Sequence, residues 1–328
     1  MQDVVIRILG GLLSPIADLA WNPWAKLYWL YLLGAVVMAA AAYAWRTPER
    51  SLAGALRFLF PRRVFLHPSA VADYKILFLN AALIALFFLP YMFISSEESA
   101  ALVKRTLASL AGAGGLGWHV GWGTVAAYTA IDLLALDAAF FIAHYLQHKV
   151  PFLWEFHKTH HSAEVLTPFT VERMHPVDQV LNFTMASVLP GAVTGVFAFL
   201  YAEPASIVSV NGINIGLFLF YLLGVHLRHS HVWVMFPAWL ARHISSPAMH
   251  LIHHSSDPRH ADKNMAQIFN FWDRLTGTLY LPSAEERISF GLSGGEHARF
   301  RSLGALYIEP FRGLLRRYRR RPAGGLSL

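Results

Sequence analysis

Residues 122–149 read WGTVAAYTAIDLLALDAAFFIAHYLQHK, and this stretch decides the fold. Trp122 to Ala143 is apolar and long enough to cross a bilayer, which takes about 20 helical residues. Two acids, Asp132 and Asp137, lie inside it. No helix breaker follows until Pro151, so the helix is expected to run on through Tyr145, Leu146, Gln147 and Lys149. It then leaves the membrane with His144 and His148, spaced i, i+4, on one face. A span that emerges as a histidine-bearing helix points to a membrane protein with its chemistry just outside the hydrocarbon layer.

The rest of the chain supports this reading. Hydrophobic residues make up 55% and charged residues 14% of 328 residues, and the mean hydropathy is +0.41, outside the range of an ordinary soluble domain. Leu27 to Trp45 and Ile76 to Ile94 are further span-length runs, the second with Pro90 as a tolerated kink. Leu181 to Tyr201 and Ala205 to Val225 are separated only by Ala-Glu-Pro and are expected to form a helical hairpin, or a re-entrant one. The expected class is all-α: a polytopic bundle of four or five transmembrane helices capped by histidine-rich helices. Residues 1–23 are expected to be an interfacial arm lacking the order of a signal peptide, 24–281 the catalytic domain, and 282–328 a basic tail.

Fourteen of the 17 histidines lie between His144 and His260. Two of the clusters share one pattern, H-x-x-H-H: His157, His160, His161 and His250, His253, His254. At this histidine content one such pattern arises by chance in roughly one chain in twenty, and two far more rarely. Positions i, i+3 and i+4 share a helix face, so each motif is expected to present its rings to one common point, as a metal-binding face does. Cysteine is absent, which excludes disulfides, thiolate-ligated clusters and a thiol nucleophile. No motif contains the glutamate of H-E-x-x-H, which disfavours a hydrolytic zinc site. Pro151 and Pro247 are expected to open the two helices that carry the motifs, with Ser245 or Ser246 as the second helix's N-cap.

Basic residues crowd the first inter-span loop (Arg46, Arg50, Arg57, Arg62, Arg63, Lys75) and the C-terminus (Arg312, Arg316, Arg317, Arg319, Arg320, Arg321). Beside membrane spans such runs set orientation and contact anionic headgroups rather than nucleic acid. The positive-inside rule then puts Arg57, His157, His254 and Arg317 in the cytoplasm.

Taken together, HYLQH, HKTHH, the ERMHP segment, HLRHSH, SPAMHLIHH, DKN and WDRLTGT, spread over roughly Asp132 to Tyr280, resemble the fatty acid hydroxylase and sterol desaturase superfamily of membrane di-iron oxygenases. The resemblance implies that His144, His148, His157, His160, His161, His250, His253 and His254 hold two iron ions, with zinc as a possible substitute in purified protein. A ninth ligand is expected at His229, with His226, His231 and His175 as competitors. The sequence departs from the family pattern at His231, where Asn is common, and at Asp262-Lys-Asn264-Met265. Ligand rings want an acceptor behind them, and Asp137, Asp178, Asp262 and Asn264 are the candidates, with Asp273 a further one. Asp132 and Asn214 are expected to line a cavity or join helices. A substrate cavity is expected among Phe140, Phe141, Phe218, Phe220 and Tyr221.

The implied activity is hydroxylation of a lipid or sterol C–H bond by O2, with desaturation as the alternative. Without a haem domain, Rossmann fingerprint or Cys-ligated cluster in the sequence, electrons are expected from a ferredoxin- or cytochrome-type partner. The expected location is a bacterial inner membrane, with the metal site on the cytoplasmic side. A metal transporter is the rival class; it predicts ionisable ligands distributed through the spans, whereas the motifs here sit at span ends.

Overall fold

A computed structural model describes residues 2–319 apart from 49, 89–93, 113 and 114. Its helices are α1 (Gln2–Trp21), α2 (Trp29–Arg46), α3 (Leu52–Leu59), α4 (Arg62–Phe65), α5 (Pro68–Leu83, continued by a π turn), α6 (Ser96–Ala111), α7 (Trp122–Lys149), α8 (Pro151–His161), α9 (Pro176–Leu200), α10 (Ile215–Leu222), α11 (Ala238–Ala241), α12 (Pro247–His253), α13 (Phe271–Thr276) and α14 (Leu303–Arg319). Four helices among the described residues are long and apolar enough to cross a membrane: Trp29–Arg46, Pro68–Leu86, Trp122–Lys149 and Pro176–Leu200. Pro90, Arg320 and Arg321 lie outside the described residues.

The expected fifth helix is not there. Residues 209–214 form a β-hairpin, β1 (Ser209–Val210) pairing antiparallel with β2 (Ile213–Asn214), and only the eight residues of α10 are helical. The cause is local. Asn211 (φ 49°) and Gly212 (φ 81°) take the left-handed turn that Asn-Gly favours between two short strands. The Asn214 side chain then caps α10 by accepting from Gly216 N at 3.0 Å. Its amide also donates to Thr129 O at 2.8 Å and to Asp132 Oδ2 at 2.9 Å. Val208 N donates to Thr129 Oγ1 at 2.8 Å, so the non-helical return is tied to α7 through backbone and side chain alike, as a span-length apolar stretch that is not helical requires.

α7 is the 28-residue axis of the molecule and does overrun its apolar part. It ends at Val150, and Pro151 opens α8 at a sharp turn, because proline suits the first helical turn and disfavours helix in the residue before it. α6 lies on α9 at very close range, where a Cβ on Gly191 would meet Ser96 O at 2.6 Å and one on Gly195 would meet Ala100 O at 2.5 Å. α14 binds α8 through Thr159 Oγ1 to Leu306 O (3.0 Å) and Arg317 to Glu155 (3.4 Å). α2 and α10 touch at Gly34, whose Cβ would sit 2.1 Å from Leu222 O.

This contact gives a test of the packing. Gly34→Ala forces backbone apart and is expected to cost about 1–3 kcal/mol, whereas Gly10→Ala, with nothing within 4 Å of the added atom, should be neutral or slightly stabilising. Thermal unfolding in detergent should separate the two variants by several degrees; equal midpoints would contradict the packing of α10 on α2.

Candidate metal centre

The structure brings nine histidine rings into two adjacent groups, within each of which the potential ligand atoms lie within 4.8 Å of one another. One group is His144, His148, His157, His161 and His253; the other is His160, His229, His250 and His254. Each H-x-x-H-H motif is therefore split between two points, not aimed at one. Helix geometry explains the split. Residues four apart are offset by about 40°, so His157 with His161, and His250 with His254, point the same way, while the i+3 ring lies about 60° to the other side. α8 and α12 face each other, and each lends its i+3 ring to the group built on the other's pair.

The remaining rings arrive from α7 and from a 3₁₀ turn, Val225–His229, that follows α10. Gly224 (φ 106°) makes this turn possible, with Met38 Sδ only 2.9 Å from where a Cβ would be. His229 Nε2 lies 3.1 Å from the Nε2 atoms of His250 and His254 and 3.3 Å from that of His160. The competitors are elsewhere. His226 Nε2 faces Lys26 O at 2.7 Å, His231 Nε2 faces Phe58 O at 2.6 Å, and His175 caps α9 by accepting from Val177 N at 3.2 Å.

Each anchored ring is held from behind through Nδ1. His144 reaches Met265 O at 2.8 Å, His253 reaches Lys263 O at 2.7 Å and His160 reaches Arg173 O at 3.3 Å. Asp262 Oδ1 lies 3.3 Å from His148 Nδ1; Asp178 Oδ2 lies 3.5 Å from His157 Nδ1 but makes no hydrogen bond with it. Such contacts fix the tautomer and leave Nε2 lone pairs pointing inward.

Two expected acceptors have other tasks. Asp137 is buried and accepts from Ile268 N, Phe269 N and Trp272 Nε1 at 2.8, 3.1 and 2.9 Å. Asn264 donates to Met249 O at 3.2 Å and accepts from Tyr280 N at 2.7 Å. Asp273 accepts from Met265 N at 2.9 Å and Ala266 N at 3.0 Å, so Asp137 and Asp273 grip the 265–269 segment whose carbonyls back the cage. Asp262 and Asn264, at φ 58° and 54°, bend the chain so that Lys263 O meets His253. Sequence reading did not find these backbone carbonyls, and only the paired Asp262 and Asn264, which tolerate such angles, carried a signal. It also missed Arg228, which donates to Ala266 O at 3.0 Å and lies 3.0 Å from His250 Nδ1.

Burial, reinforced by neighbouring rings, holds the imidazoles of His157, His160, His161, His229, His253 and His254 well below the ordinary histidine range; at His250 the strongest reinforcement comes from Arg228. These seven are neutral at pH 7, the ligand form. The buried Nε2 atoms of His157 and His253 have no hydrogen-bond partner. Leaving such atoms unpaired costs free energy that a cation among them would recover. The separations of 3.1 Å match two metal–nitrogen bonds of about 2.1 Å at roughly 90°. A group of five imidazoles also exceeds the four ligands of tetrahedral zinc and suits an ion of higher coordination.

A cavity of about 1140 Å³ lies between α1, α5, α7, α9 and α10. Of the expected aromatics Phe140 and Tyr221 line it. Phe141 instead stacks on Trp272, Phe218 packs edge-on against Tyr31, and Phe220 lies under Arg228. The structure therefore corrects the expected cavity wall at Phe141, Phe218 and Phe220, which are drawn into packing around Tyr31, Trp272 and Arg228.

Residues 129–278 match the family model for fatty acid hydroxylase. The chain is 26% identical over 180 residues to an ornithine lipid hydroxylase of Rhizobium tropici, covering 54% of this chain and 49% of that protein. It is 28% identical over 163 residues to the alkylglycerol monooxygenase of Danio rerio, covering 50% and 32%. It is 27% identical over 166 residues to a Delta(7)-sterol 5(6)-desaturase of Gibberella zeae, covering 50% and 45%. The chain thus spans about half or less of the length of these relatives. No solved structure matches it.

Two outcomes follow from this geometry. His161→Ala and His253→Ala should each lose bound metal while His226→Ala and His231→Ala retain it, as elemental analysis of purified protein would show; full occupancy in the first pair would remove the ligand assignment. Because the buried imidazoles titrate below the free value, the unfolded chain takes up protons first as pH falls below about 6.5. Stability and metal retention should therefore be complete above that pH and decline on acidification, measured by thermal unfolding and metal release between pH 8 and pH 5.

Proposed function

Starting from a chain whose residues 129–278 carry a fatty acid hydroxylase domain, we propose that it is a membrane di-iron oxygenase that hydroxylates a C–H bond of a lipid. The observation that carries this reading is the pair of all-nitrogen, buried histidine groups at the end of α7. His144, His148, His157, His161 and His253 would hold one iron and His160, His229, His250 and His254 the other. Iron held there supplies O2 activation; nitrogen ligands without thiolate suit such an ion. The reaction balances as R–H + O2 + 2 e⁻ + 2 H⁺ giving R–OH + H2O, so two electrons must arrive from a ferredoxin- or cytochrome-type donor. The chain's own residues set the rings' direction, exclude water by burial and place the site next to the bilayer from which an apolar substrate comes.

Desaturation is the second reading, supported by the similarity to a sterol desaturase. Iron held by the same histidines would supply the oxidising power for R–CH2–CH2–R′ + O2 + 2 e⁻ + 2 H⁺ giving R–CH=CH–R′ + 2 H2O, the outcome set by where the chain's residues place the substrate carbon. Under either reading the catalytic unit is the segment 24–281, and the metal side faces the cytoplasm, supported by Arg57, Arg62 and Arg63 in the first inter-span loop.

Comparison of lipid extracts from cells with the wild type and with His161→Ala should show products heavier by one oxygen, or lighter by two hydrogens, only with the wild type. Absence of both mass shifts would overturn the oxygenase reading. For topology, the chain has no cysteine of its own, so single cysteines report cleanly. In intact cells an impermeant thiol reagent should label cysteine in place of the exposed His119, at the opposite end of α7, and spare cysteine in place of Arg57 or Arg259.

A further inference from the structure

α1 has an inverted polarity. Ile6, Leu9, Leu13 and Ile16 are 54–61% exposed, whereas Arg7, Ser14 and Asp18 line the cavity that α1 closes against α5 and α9. An amphipathic helix in water turns its apolar side inward, so α1 presents its apolar side to lipid and its polar side to an internal space. The opposite wall is apolar, with Leu77, Ile84, Leu136 and Phe183. At about 1140 Å³ the space exceeds the roughly 300–1,000 Å³ of ordinary small-molecule sites.

The charges at one end define the head. Lys26 and Glu172 both line the cavity, and among the described residues neither side chain has a hydrogen-bond or ion-pair partner. Both sit beside the metal cage. Lys26 O receives His226, three residues before His229, and Glu172 and Met174 flank Arg173, whose carbonyl backs His160. A lone cation in such a wall would select an anionic head, and a lone anion a cationic one. Of the other two charges in the wall, Asp18 accepts from Asn22 Nδ2 at 2.9 Å and Arg7 lies about three turns further along α1, which leaves Lys26 and Glu172 as unpartnered opposite charges that fit a head carrying both signs.

We infer that this cavity binds a zwitterionic lipid, its anionic group on Lys26, its cationic group on Glu172, and its acyl chain between α5, α7 and α9. The inference rests on the reading of the site as a lipid oxygenase and narrows its substrate class. None of the nine ring residues lines the cavity, so it would hold the lipid beside the cage, with the head and first chain carbons nearer the histidine groups than the chain's far end.

The test uses the full-length protein in detergent, with and without iron, and four photoreactive amphiphiles that share one diazirine-bearing acyl chain. Their heads are lysophosphatidylethanolamine (zwitterionic), lysophosphatidylglycerol (anionic), an acyl-choline ester (cationic) and a monoacylglycerol (neutral). The zwitterionic probe should be captured about tenfold more than the neutral one, with the label on peptides from α1, α5 and α9. Lys26→Gln should lower capture of the zwitterionic and anionic probes but not the cationic one, and Glu172→Gln should do the converse. Equal capture of all four heads, label outside the cavity, or no effect of either variant would overturn the assignment. Capture needs no turnover: its failure alongside intact oxidation would leave the oxygenase reading standing, and its success without any oxidation would remove that reading but keep the binding site.

Discussion

Nine imidazoles whose nitrogen lone pairs converge in a buried space are the constraint to which the rest of the fold answers. Each inward nitrogen gives up its water, so the rings depend on partners behind them that cannot drift: an acceptor at some, the Arg228 guanidinium at His250. A carboxylate meets this need at His148, and Asp178 stands 3.5 Å from His157 Nδ1 without a hydrogen bond; backbone carbonyls of Lys263, Met265 and Arg173 serve three more rings. A carbonyl is only as rigid as its segment, which explains the carboxylates that touch no ring. Asp137 and Asp273 hold the amides of residues 265, 266, 268 and 269, and Asp73 holds Arg173 at 2.7 Å.

The membrane layer serves the same end by delivering chain segments at the right height. α7 runs past its apolar part, Pro151 turns the chain back beneath it, and α10 stops early so that a 3₁₀ turn can carry His229 into the cage. A continuous fifth helix would have delivered its residues along one straight axis. The hairpin at residues 209–214 breaks that axis and anchors the return to Asp132 and Thr129.

Much of this was legible in the sequence where a periodic signal carries it. The overrun of α7, the prolines opening α8 and α12, and the facing of His157, His161, His250 and His254 follow from helix spacing and helix punctuation. Ser246 does precede α12 but makes no side-chain cap. The hairpin was hidden because hydropathy averages over Ala205 to Val225 and hears the apolar residues louder than Asn211-Gly212, a turn signal that matters only at two positions. The task of Asp137 was hidden for another reason: its partners are amides 131 residues or more away in sequence, and no local spacing encodes a backbone donor. Phe218 and Phe220 looked like a cavity wall because an aromatic run reads the same whether it faces a void or Tyr31 and Arg228.

The grip of Asp137 and Asp273 on the 265–269 segment has a consequence for how the centre is assembled. The cage is clamped from its outer side by bonds between protein groups only, so its shape does not wait for an ion to organise it. The side of the cage built on residues 265–269 is thus held by bonds among protein groups, unlike a small zinc module whose folding energy is its metal-binding energy. A divalent cation that enters such a centre meets ring-bearing segments already tied to one another, so which cation it holds would follow from site chemistry and availability.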